Sequence, residues 1–589
     1  PGSLPQRVKD AQGLMQILYT ETAYTNSARN KPEEEIYIAG DPTGYRLRQP
    51  YQVTRYELKL NAPAAPPGMI VLWQPAGLQS LATSATVVGY TAAPAVGEKR
   101  LLGQTLIRYR ENDGKTAAAW EKLYSRGIEH GRYELAFTDN IREGAYCDLD
   151  EEDEVIDIDR VTDAILTGAG YKDVQADGRW WLPSGTAGYQ SGTDSEEAFF
   201  TPDLYTDPWG NETKISSWGS YYLLPQQVED AKGNIMEVTG YDWRSLQPVS
   251  VKDPNDNISE MLYDALGMPV AMALKGKGTE GDSLTGIDPE DVDDINAQAA
   301  FWADPQEEAA TLLHKATWRC VYDFSVQPAA VGMVAREQHD AVEEESPVLI
   351  RISYTDGLGR VLMHKVQCAA TTENGNKGWV GSGRTVYNNK GNAVMQYEPY
   401  FSDTHTCDTA EQAALEGVTA RLHYDPLGRV QRTDYPDGTF ETTEWTPWEQ
   451  TLYDRNDNVA TSAWYAAWNN GTTEQKDAAA KALAHNNTPT LQYLDTLARP
   501  FYTRQFLADM DLTPPPGKDP INSFVTLDIQ GNRLKVTDGR GKDALTYQYN
   551  MLQSVCRQFS LDSGRQRILV DAAGQPLCGW DADDRQTRY

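Results

Sequence analysis

The sequence has no long apolar run, few cysteines and a deficit of basic residues. A membrane-spanning helix needs about 18 apolar residues, and the apolar run at 69–73 is far shorter. The six cysteines include no CxxC pair, which argues against a disulfide scaffold and against a thiolate zinc site. The 53 basic and 85 acidic residues give a net charge of −32. We therefore expect neither nucleic-acid binding nor membrane insertion.

Motifs for nucleotide, metal and nucleophile chemistry are missing as well. The segment 114–116 (GKT) resembles the end of a phosphate-binding loop, but Tyr109 stands where that loop needs glycine. The segment 253–264 begins like a calcium loop, yet it has isoleucine at position six and aspartate at position twelve. His405 and Cys407 have no second ligand pair at metal spacing. There is no Gly-x-Ser-x-Gly and no HExxH, so we expect no catalytic residue, cofactor or metal.

What the sequence does have is length and many amphipathic aromatic rings. Its 589 residues exceed one compact core, so it holds several domains or one large repetitive architecture. Hydrophobic residues make up 40% of the chain, which is enough to bury a core. The 32 tyrosines and 15 tryptophans far outnumber the 11 phenylalanines. Rings of this kind suit strands that have one dry face and one wet face.

A short unit recurs along the chain: an aromatic residue, Asp or Asn, two variable residues, Gly, then Arg or Asn. It is clearest at 424–429 (YDPLGR) and at 263–267 (YDALG). The residues that we assign to structural repeat turns are Asp207, Gly210, Asp230, Gly233, Asp264, Gly267, Asp356, Gly359, Asp425, Gly428, Asp528, Gly531, Asp571 and Gly574. Further copies begin at 389 and 538, and more decayed copies lie near 453, 493, 549 and 580.

The chemistry of the unit is that of a strand followed by a turn. Asp or Asn at the first turn position can accept hydrogen bonds from backbone N–H groups two residues on, and Gly supplies a positive φ. Asp207, Asp230 and Asp253 are 23 residues apart, which fits one hairpin per interval. The Asp residues therefore need no catalytic explanation. Gly428 and Gly438 are expected at positive φ or at a sharp bend.

Three segments rich in Ala and Glu interrupt the repeats and predict helical insertions. They lie near 288–316, 408–420 and 473–484. Residues 1–200 lack the repeat and are predicted to form a β-rich lead-in region with a short helix at 115–126. Strands of the lead-in are expected at 51–60, 69–73, 86–90 and 102–109. Residues 201–589 are predicted to form the repeat-bearing β shell.

From residue 133 onward the sequence resembles the B component of bacterial insecticidal toxin complexes, an SpvB and RHS-repeat family. The resemblance is to the middle and C-terminal part of that component and covers most of the chain, with 1–130 matching only loosely. The order and the density of the matching sequence blocks support the resemblance. These blocks include 133–138 (YELAFT), 180–185 (WWLPSG), 221–225 (YYLLP), 424–433 (YDPLGRVQRT), 435–439 (YPDGT) and 445–448 (WTPW).

The resemblance implies a fold, partners and a location. In that family, B and C components together form a hollow cocoon of RHS strands around the toxic C-terminal region of C. This chain is accordingly expected to be mainly β, with antiparallel RHS/YD strands forming a curved shell, or partial cocoon. Its expected partner is a C component with its cargo, and contact with the A-component channel would need a propeller that we do not find here. Synthesis in the bacterial cytoplasm and action as a secreted, extracellular virulence complex are implied.

Two further functions stay open. The same repeats occur in cell-surface adhesion or carbohydrate-binding proteins, and a neighbouring C-type gene would favour the toxin whereas a cell-wall anchor would favour adhesion. An enzymatic function is the third, although turn placement already accounts for many of the carboxylates. The sequence ends inside a repeat, so we also expect it to be an excised segment. Its residues beyond 546 are then expected to be less protected from hydrogen exchange than residues 420–448.

The first prediction is that the chain has no turnover activity on glycosides, esters, peptides or NAD. The reason is the absence of any nucleophile, metal or phosphate motif in the sequence. A hydrolase and NAD-consumption screen of the purified chain checks it. A metal-independent rate that one point mutation abolishes would contradict it.

Overall fold

A computed structural model describes residues 6–589 of the protein with several gaps. The residues outside the description are 1–5, 14, 26–47, 61–73, 125, 150–154, 158–159, 190–196, 279, 288–294, 344–345, 371–377 and 508–519. The strand expected at 69–73 and the start of the insertion expected at 288–316 lie outside the described residues. Strands account for 43% and helices for 15% of the structure. This confirms the mainly β class, with open antiparallel sheets and short helices.

Two compact units make up the chain. Unit 1 comprises Pro1–Thr213, Trp445–Thr451 and Thr488–Tyr589, and unit 2 comprises Lys214–Glu444 and Leu452–Asn487. The lead-in region therefore shares a unit with the last repeats.

The lead-in region of unit 1 combines short helices with a small sheet. Its helices are α1 (Gln6–Gly13), α2 (Pro75–Ser84), α3 (Asp139–Tyr146) and α4 (Asp163–Gly168). Its strands are β1 (Ile17–Tyr24), β2 (Pro50–Leu58), β3 (Thr86–Val88), β4 (Glu98–Tyr109), β5 (Glu129–Phe137), β6 (Asp148–Leu149), β7 (Val155–Asp157), β8 (Trp180–Pro183), β9 (Thr186–Gly188) and β10 (Leu204–Thr206). The sheet order is β1-β2-β4-β5-β8, and β3 joins β4 in parallel. The pairs β6–β7 and β9–β10 are antiparallel.

Unit 2 is built from consecutive antiparallel hairpins. The strands from 212 to 367 are β11 (Glu212–Trp218), β12 (Tyr221–Glu229), β13 (Ile235–Asp242), β14 (Gln247–Lys252), β15 (Ile258–Tyr263), β16 (Pro269–Gly276), β17 (Trp318–Asp323), β18 (Ala329–Arg336), β19 (Val348–Thr355) and β20 (Val361–Gln367). Those that follow are β21 (Trp379–Ser382), β22 (Thr385–Tyr387), β23 (Ala393–Gln396), β24 (Tyr400–Ser402), β25 (Arg421–Tyr424), β26 (Val430–Asp434) and β27 (Phe440–Trp445). The next strand, β28 (Glu449–Tyr453), has its first three residues in unit 1.

The strand order in unit 2 follows the sequence almost throughout. One sheet runs from β11 to β21 in sequence order and then continues to β24. A second sheet has the order β22-β23-β25-β26-β27. Because successive strands pair with their sequence neighbours, the connecting turns alternate between the two ends of each sheet.

The last strands belong to unit 1 and also pair in sequence order, from β29 to β37. They are β29 (Thr490–Leu494), β30 (Pro500–Gln505), β31 (Ile521–Leu527), β32 (Arg533–Thr537), β33 (Asp543–Tyr549), β34 (Val555–Ser560), β35 (Gly564–Val570), β36 (Pro576–Trp580) and β37 (Gln586–Arg588). Helix α1 packs on this sheet, because its buried Val8 contacts Tyr493 and Tyr502. Tyr502 in turn stacks on Phe524, with ring centroids 4.3 Å apart.

Helices fall at all three expected insertions. They are α5 (Ile295–Ala303), α6 (Pro305–Leu313), α7 (Ala410–Glu416) and α9 (Thr473–Leu483), and α8 (Ala463–Trp468) was not expected. An Asp-Pro pair begins α6, since the Asp304 side chain accepts from the N–H of Glu307 and Pro305 occupies the first turn. Phe301 and Leu313 then pack against the inward residues of β18 and β19, which include Val334 and Ile352.

The helix expected at 115–126 is wrong, because the described residues of this segment form turns and an isolated bridge. Asp113 Oδ1 accepts hydrogen bonds from the N–H groups of Lys115 (2.8 Å) and Thr116 (2.9 Å). The buried Arg110 guanidinium donates to the Lys115 carbonyl at 2.8 Å. The Asp113 bonds alone would suit a helix start, but the Thr116 carbonyl accepts from the Glu111 N–H and the Ala118 N–H donates to the Tyr109 carbonyl, both at 2.9 Å. The backbone of this segment therefore pairs with the chain at the end of β4 and not within a helix.

A buried ion pair lies in the core of unit 2. Lys365 Nζ donates to Asp408 Oδ2 at 2.7 Å and also to the Ser402 hydroxyl, and no part of the Lys365 side chain is exposed. Tyr400 donates its hydroxyl to the same Asp408 oxygen at 2.7 Å. Burial lowers the pKa of the Lys365 ammonium, and its hydrogen bond to Asp408 acts in the opposite direction. Each polar group of this cluster depends on the others for its partner.

The second prediction concerns that pair. Lys365→Met should cost about 3–5 kcal/mol of unfolding free energy, because it leaves a buried carboxylate without its cation. Lys365→Met with Asp408→Leu should regain part of the loss. The control is Lys481→Met, which breaks the exposed pair with Asp477 and should cost less than about 1 kcal/mol. Denaturant unfolding measures all three variants, and equal costs for the Lys365 and Lys481 variants would contradict the prediction.

Candidate functional site: the repeat turns

The turn that begins at Asp425 shows what the repeat unit does. Asp425 Oδ1 accepts hydrogen bonds from the N–H groups of Leu427 and Arg429, both at 2.9 Å. The Asp425 N–H donates to the Arg429 carbonyl, and the Gly428 N–H donates to the Asp425 carbonyl. Gly428 has a φ of +83°, a conformation that favours glycine. One side-chain oxygen thus holds two backbone groups across the bend.

The same arrangement recurs in both units. An Asp or Asn Oδ1 accepts from the N–H groups two and four residues on at Asp207, Asp230, Asp253, Asp264, Asp356, Asn388, Asp495, Asp538, Asn550, Asp571 and Asp581. Asp528 accepts from the N–H four residues on. The glycines at the fourth position of these turns have φ between +76° and +96°, and they are Gly210, Gly233, Gly267, Gly359, Gly391, Gly531, Gly541 and Gly574.

The last position of the repeat also has a defined contact, which the sequence pattern did not explain. The Asn234 amide donates to Asp230 Oδ2 at 2.7 Å, and the Arg360 Nε donates to Asp356 Oδ2 at 2.8 Å. Asn and Arg are therefore the residues that reach back to the second carboxylate oxygen.

Two details of the repeats differ from the sequence-based expectation. The copy expected to begin at Asn389 begins one residue earlier, since Asn388 Oδ1 is the acceptor. Some turns have no glycine at the fourth position, and Asp256 and Ala498 adopt φ of +66° and +60° there. The side-chain hydrogen bonds hold the turn in these cases although the residue is strained.

The aromatic residue that precedes the turn Asp ties its strand to the previous one. Tyr263 donates its hydroxyl to the Pro248 carbonyl at 3.0 Å, and Tyr549 donates to the Arg533 carbonyl at 3.0 Å. The accepting carbonyl lies at the start of the preceding strand. Tyrosine rather than phenylalanine is used because the ring packs while its hydroxyl reaches a backbone acceptor.

Side chains also link one turn to the next. In unit 2, Arg360 Nη1 lies 3.4 Å from the Gly391 carbonyl, and Lys390 Nζ donates to the Pro426 carbonyl at 3.0 Å. In unit 1, Arg499 donates to the Asp528 carbonyl at 2.8 Å. These contacts align the turns in rows at the ends of the sheets.

In unit 1 the row of turns packs on the lead-in region. The Met551 N–H donates to the Ala136 carbonyl at 3.0 Å, and the Ala572 N–H donates to the Ala169 carbonyl at 2.8 Å. Met551 and Leu552 join the core that contains Phe137 and Tyr146. Residues beyond 546 thus take part in a large core, which opposes the weak protection expected for them from the sequence.

Gly170 marks the closest approach in that contact. Its φ is +88°, and a Cβ built on it would lie 2.9 Å from both Ala572 Cβ and Trp209 Cε2. The Trp209 indole N–H donates to the Gly168 carbonyl at 3.0 Å. The lead-in region therefore receives the tips of two different repeat turns at a position where only glycine fits.

The described residues offer no group of three or more His, Cys, Asp or Glu side chains that could hold a metal ion. None of the helices in the described part of the chain is long and apolar enough to cross a membrane. Of the six cysteines, Cys556 and Cys578 are buried and the other four are partly buried. A cavity of about 810 Å³ lies beside α1, and on its wall Lys535 pairs with Asp543 at 2.8 Å.

These features define a class of protein with open antiparallel sheets, in which consecutive hairpins pair side by side and Asp or Asn side chains stabilise the turns. Solved structures share the fold. The chain matches a TcdB2–TccC3 crystal structure with TM-score 0.70 and 19% identity over 96% of this chain and 26% of that one. A TcdB2–TccC3–Cdc42 structure gives TM-score 0.72 and 18% identity over 99% and 29%.

A third match is the Photorhabdus luminescens Tc holotoxin pore, with TM-score 0.65 and 18% identity over 96% of this chain and 28% of that one. The chain spans less than a third of the length of these three chains. No family model matches the sequence, and no curated protein matches it. The fold is thus that of toxin-complex B–C proteins, at low sequence identity.

The third prediction tests the contact at Gly170. Gly170→Ala should lower the unfolding free energy by about 1–3 kcal/mol, because the methyl group meets Ala572 and Trp209 and the positive φ disfavours alanine. The matched control is Gly168→Ala in α4, where a Cβ meets nothing within 4 Å and a change within about 1 kcal/mol is expected. Equal stability of the two variants in denaturant unfolding would contradict the contact.

The fourth prediction concerns the stability of the fold at acid pH. The Asn234 amide holds the pKa of Asp230 below its usual value, and the Arg360 guanidinium does the same for Asp356. A lowered carboxyl pKa contributes stability that is present above the unfolded pKa of about 3.9 and is lost as pH falls through the folded pKa. The denaturant midpoint should therefore fall as pH drops from about 5 to about 2. Asp230→Asn with Asp356→Asn should flatten that slope, and an unchanged slope would contradict the assignment.

Proposed function

We propose that this chain is a structural shell segment of a toxin-complex B component, which encloses a cytotoxic cargo together with a C component for delivery. The observation that carries the proposal is the extent of the fold match. Between 96% and 99% of the chain aligns with TcdB2–TccC3 structures, so the likeness is not confined to one module.

The repeat turns support a wall rather than a catalyst. Their carboxylates accept backbone hydrogen bonds, as Asp264 does from the N–H groups of Leu266 and Met268. A carboxylate engaged in this way sets the chain direction and is not free to serve as an acid or a base. We therefore also propose that the segment is not an enzyme and acts by steric enclosure.

The partner follows from the same proposal. The structures matched are complexes of TcdB2 with TccC3, and a B-component segment would meet a C component at the border of the shell. Synthesis in the bacterial cytoplasm and delivery as part of a secreted particle belong to this proposal.

Co-expression with the cognate C component tests it. We expect the two chains to purify together, closed particles in electron micrographs, and a cargo region that resists protease until the particle is denatured. The control is the C component expressed alone, whose cargo should be digested. Independent purification of the two chains, or a cargo digested equally in both samples, would contradict the proposal.

A second candidate, carbohydrate binding in adhesion, draws on one observation in unit 2. Tyr221 and Trp243 are each more than half exposed, and their ring centroids are 5.3 Å apart. Exposed aromatic pairs of this kind offer flat apolar faces beside polar groups. A glycan array with the chain and with Trp243→Ala tests this candidate. Binding lost in the variant would favour it, and no binding by either chain would exclude it.

A further inference from the structure

Three leucines at the tips of repeat turns are among the most exposed apolar side chains of unit 2. Leu266, Leu358 and Leu427 are 79%, 80% and 78% exposed. Each occupies the third position of its turn, and its backbone N–H donates to Oδ1 of the turn Asp. The turn itself does not require an apolar side chain there. Single exposed leucines are ordinary, but the same position filled three times needs another reason.

The topology places the first two leucines at one end of their sheet. Leu266 lies between β15 and β16 and Leu358 between β19 and β20, and such turns share an end because alternate hairpin turns do. Leu358 and Leu427 are joined through the turn between them. Arg360 reaches the Gly391 carbonyl from the first of these turns, and Lys390 donates to Pro426 in the third.

Unit 1 shows what covers such a tip. The equivalent third position of the Asn550 turn is Leu552, which packs against a core of the lead-in region. Beside it the Met551 N–H, at the second position, donates to the carbonyl of Ala136. The Ala572 N–H uses the Ala169 carbonyl in the same way. A tip is thus covered by a folded protein surface that offers an apolar pocket and exposed main-chain carbonyls.

We propose that Leu266, Leu358 and Leu427 form a docking surface for the shell of the C component. This inference rests on the proposed function and adds to it the place where the two chains meet. The occupant is a protein surface of the kind that covers the Asn550 turn within this chain. Ala265 and Gly357 stand at the second position of their turns. In unit 1 the residues at that position, Met551 and Ala572, donate their N–H groups to carbonyls of the lead-in region. The net charge of −32 disfavours nucleic acid and anionic membranes at this surface.

The test is Leu266→Ser, Leu358→Ser and Leu427→Ser combined in the full chain and co-expressed with the cognate C component. These side chains contribute little to the fold because they are exposed, so the variant alone should unfold at the wild-type temperature. We expect the yield of co-purified complex to fall at least tenfold. In the wild-type complex, the amides of 265–267 and 357–359 should exchange at least tenfold more slowly than in the free chain. The matched control is Leu415→Ser, since Leu415 is 85% exposed on α7 and away from any repeat turn, and it should assemble normally.

Each outcome separates the two proposals. If the wild-type chain does not bind the C component, the proposed function fails. If the triple variant assembles as well as the wild type and the tip amides stay unprotected, the docking surface is wrong while the function stands. If the free wild-type chain sediments as a dimer and the triple variant as a monomer, the occupant is a second copy, which overturns the proposal. A loss shared by Leu415→Ser would also overturn it.

Discussion

Each repeat turn depends on one side-chain oxygen that accepts two backbone N–H groups. The pattern is the same whether the acceptor is the carboxylate of Asp264 or the amide of Asn388. A net contribution of about 0.5–1.5 kcal/mol per hydrogen bond is modest at any one turn. It recurs at many of the hairpins, however, and there it fixes where one strand ends and the next begins. Register follows, because a shift by one residue would turn every side chain to the other face.

The packing of the strands depends on the register that these turns fix. Strands that leave a fixed turn alternate inward and outward, as β20 does after the Asp356 turn, where Met363 and Lys365 are buried. In unit 2 the inward residues pack against α5 and α6, so inserted helices complete a core that hairpins alone would leave open. In unit 1 the lead-in region closes a core with the last repeats, through Tyr146, Trp181 and Trp580.

The turns and the mainly β class could be predicted from the sequence because their causes are local. An Asp, a Gly three residues later and an alternating strand are all visible within about ten residues. The helical insertions were visible for the same reason. The docking of Met551 and Ala572 on the lead-in region could not be predicted, since it joins residues more than 400 apart. The helix expected at 115–126 failed because the Thr116 carbonyl and the Ala118 N–H bond to Glu111 and Tyr109 and not to the next turn of a helix.

The most direct measurement of the turn chemistry compares two substitutions at Asp264, a buried turn residue whose Oδ1 accepts from Leu266 and Met268. Asn388 and Asn550 already fill this role with an amide, so Asp264→Asn should keep the acceptor and nearly all of the unfolding free energy. Asp264→Ala removes the acceptor and should cost about 1–3 kcal/mol in denaturant unfolding. If Asp264→Ala is as stable as the wild type, or if Asp264→Asn costs as much as Asp264→Ala, the account of the repeat turns is contradicted.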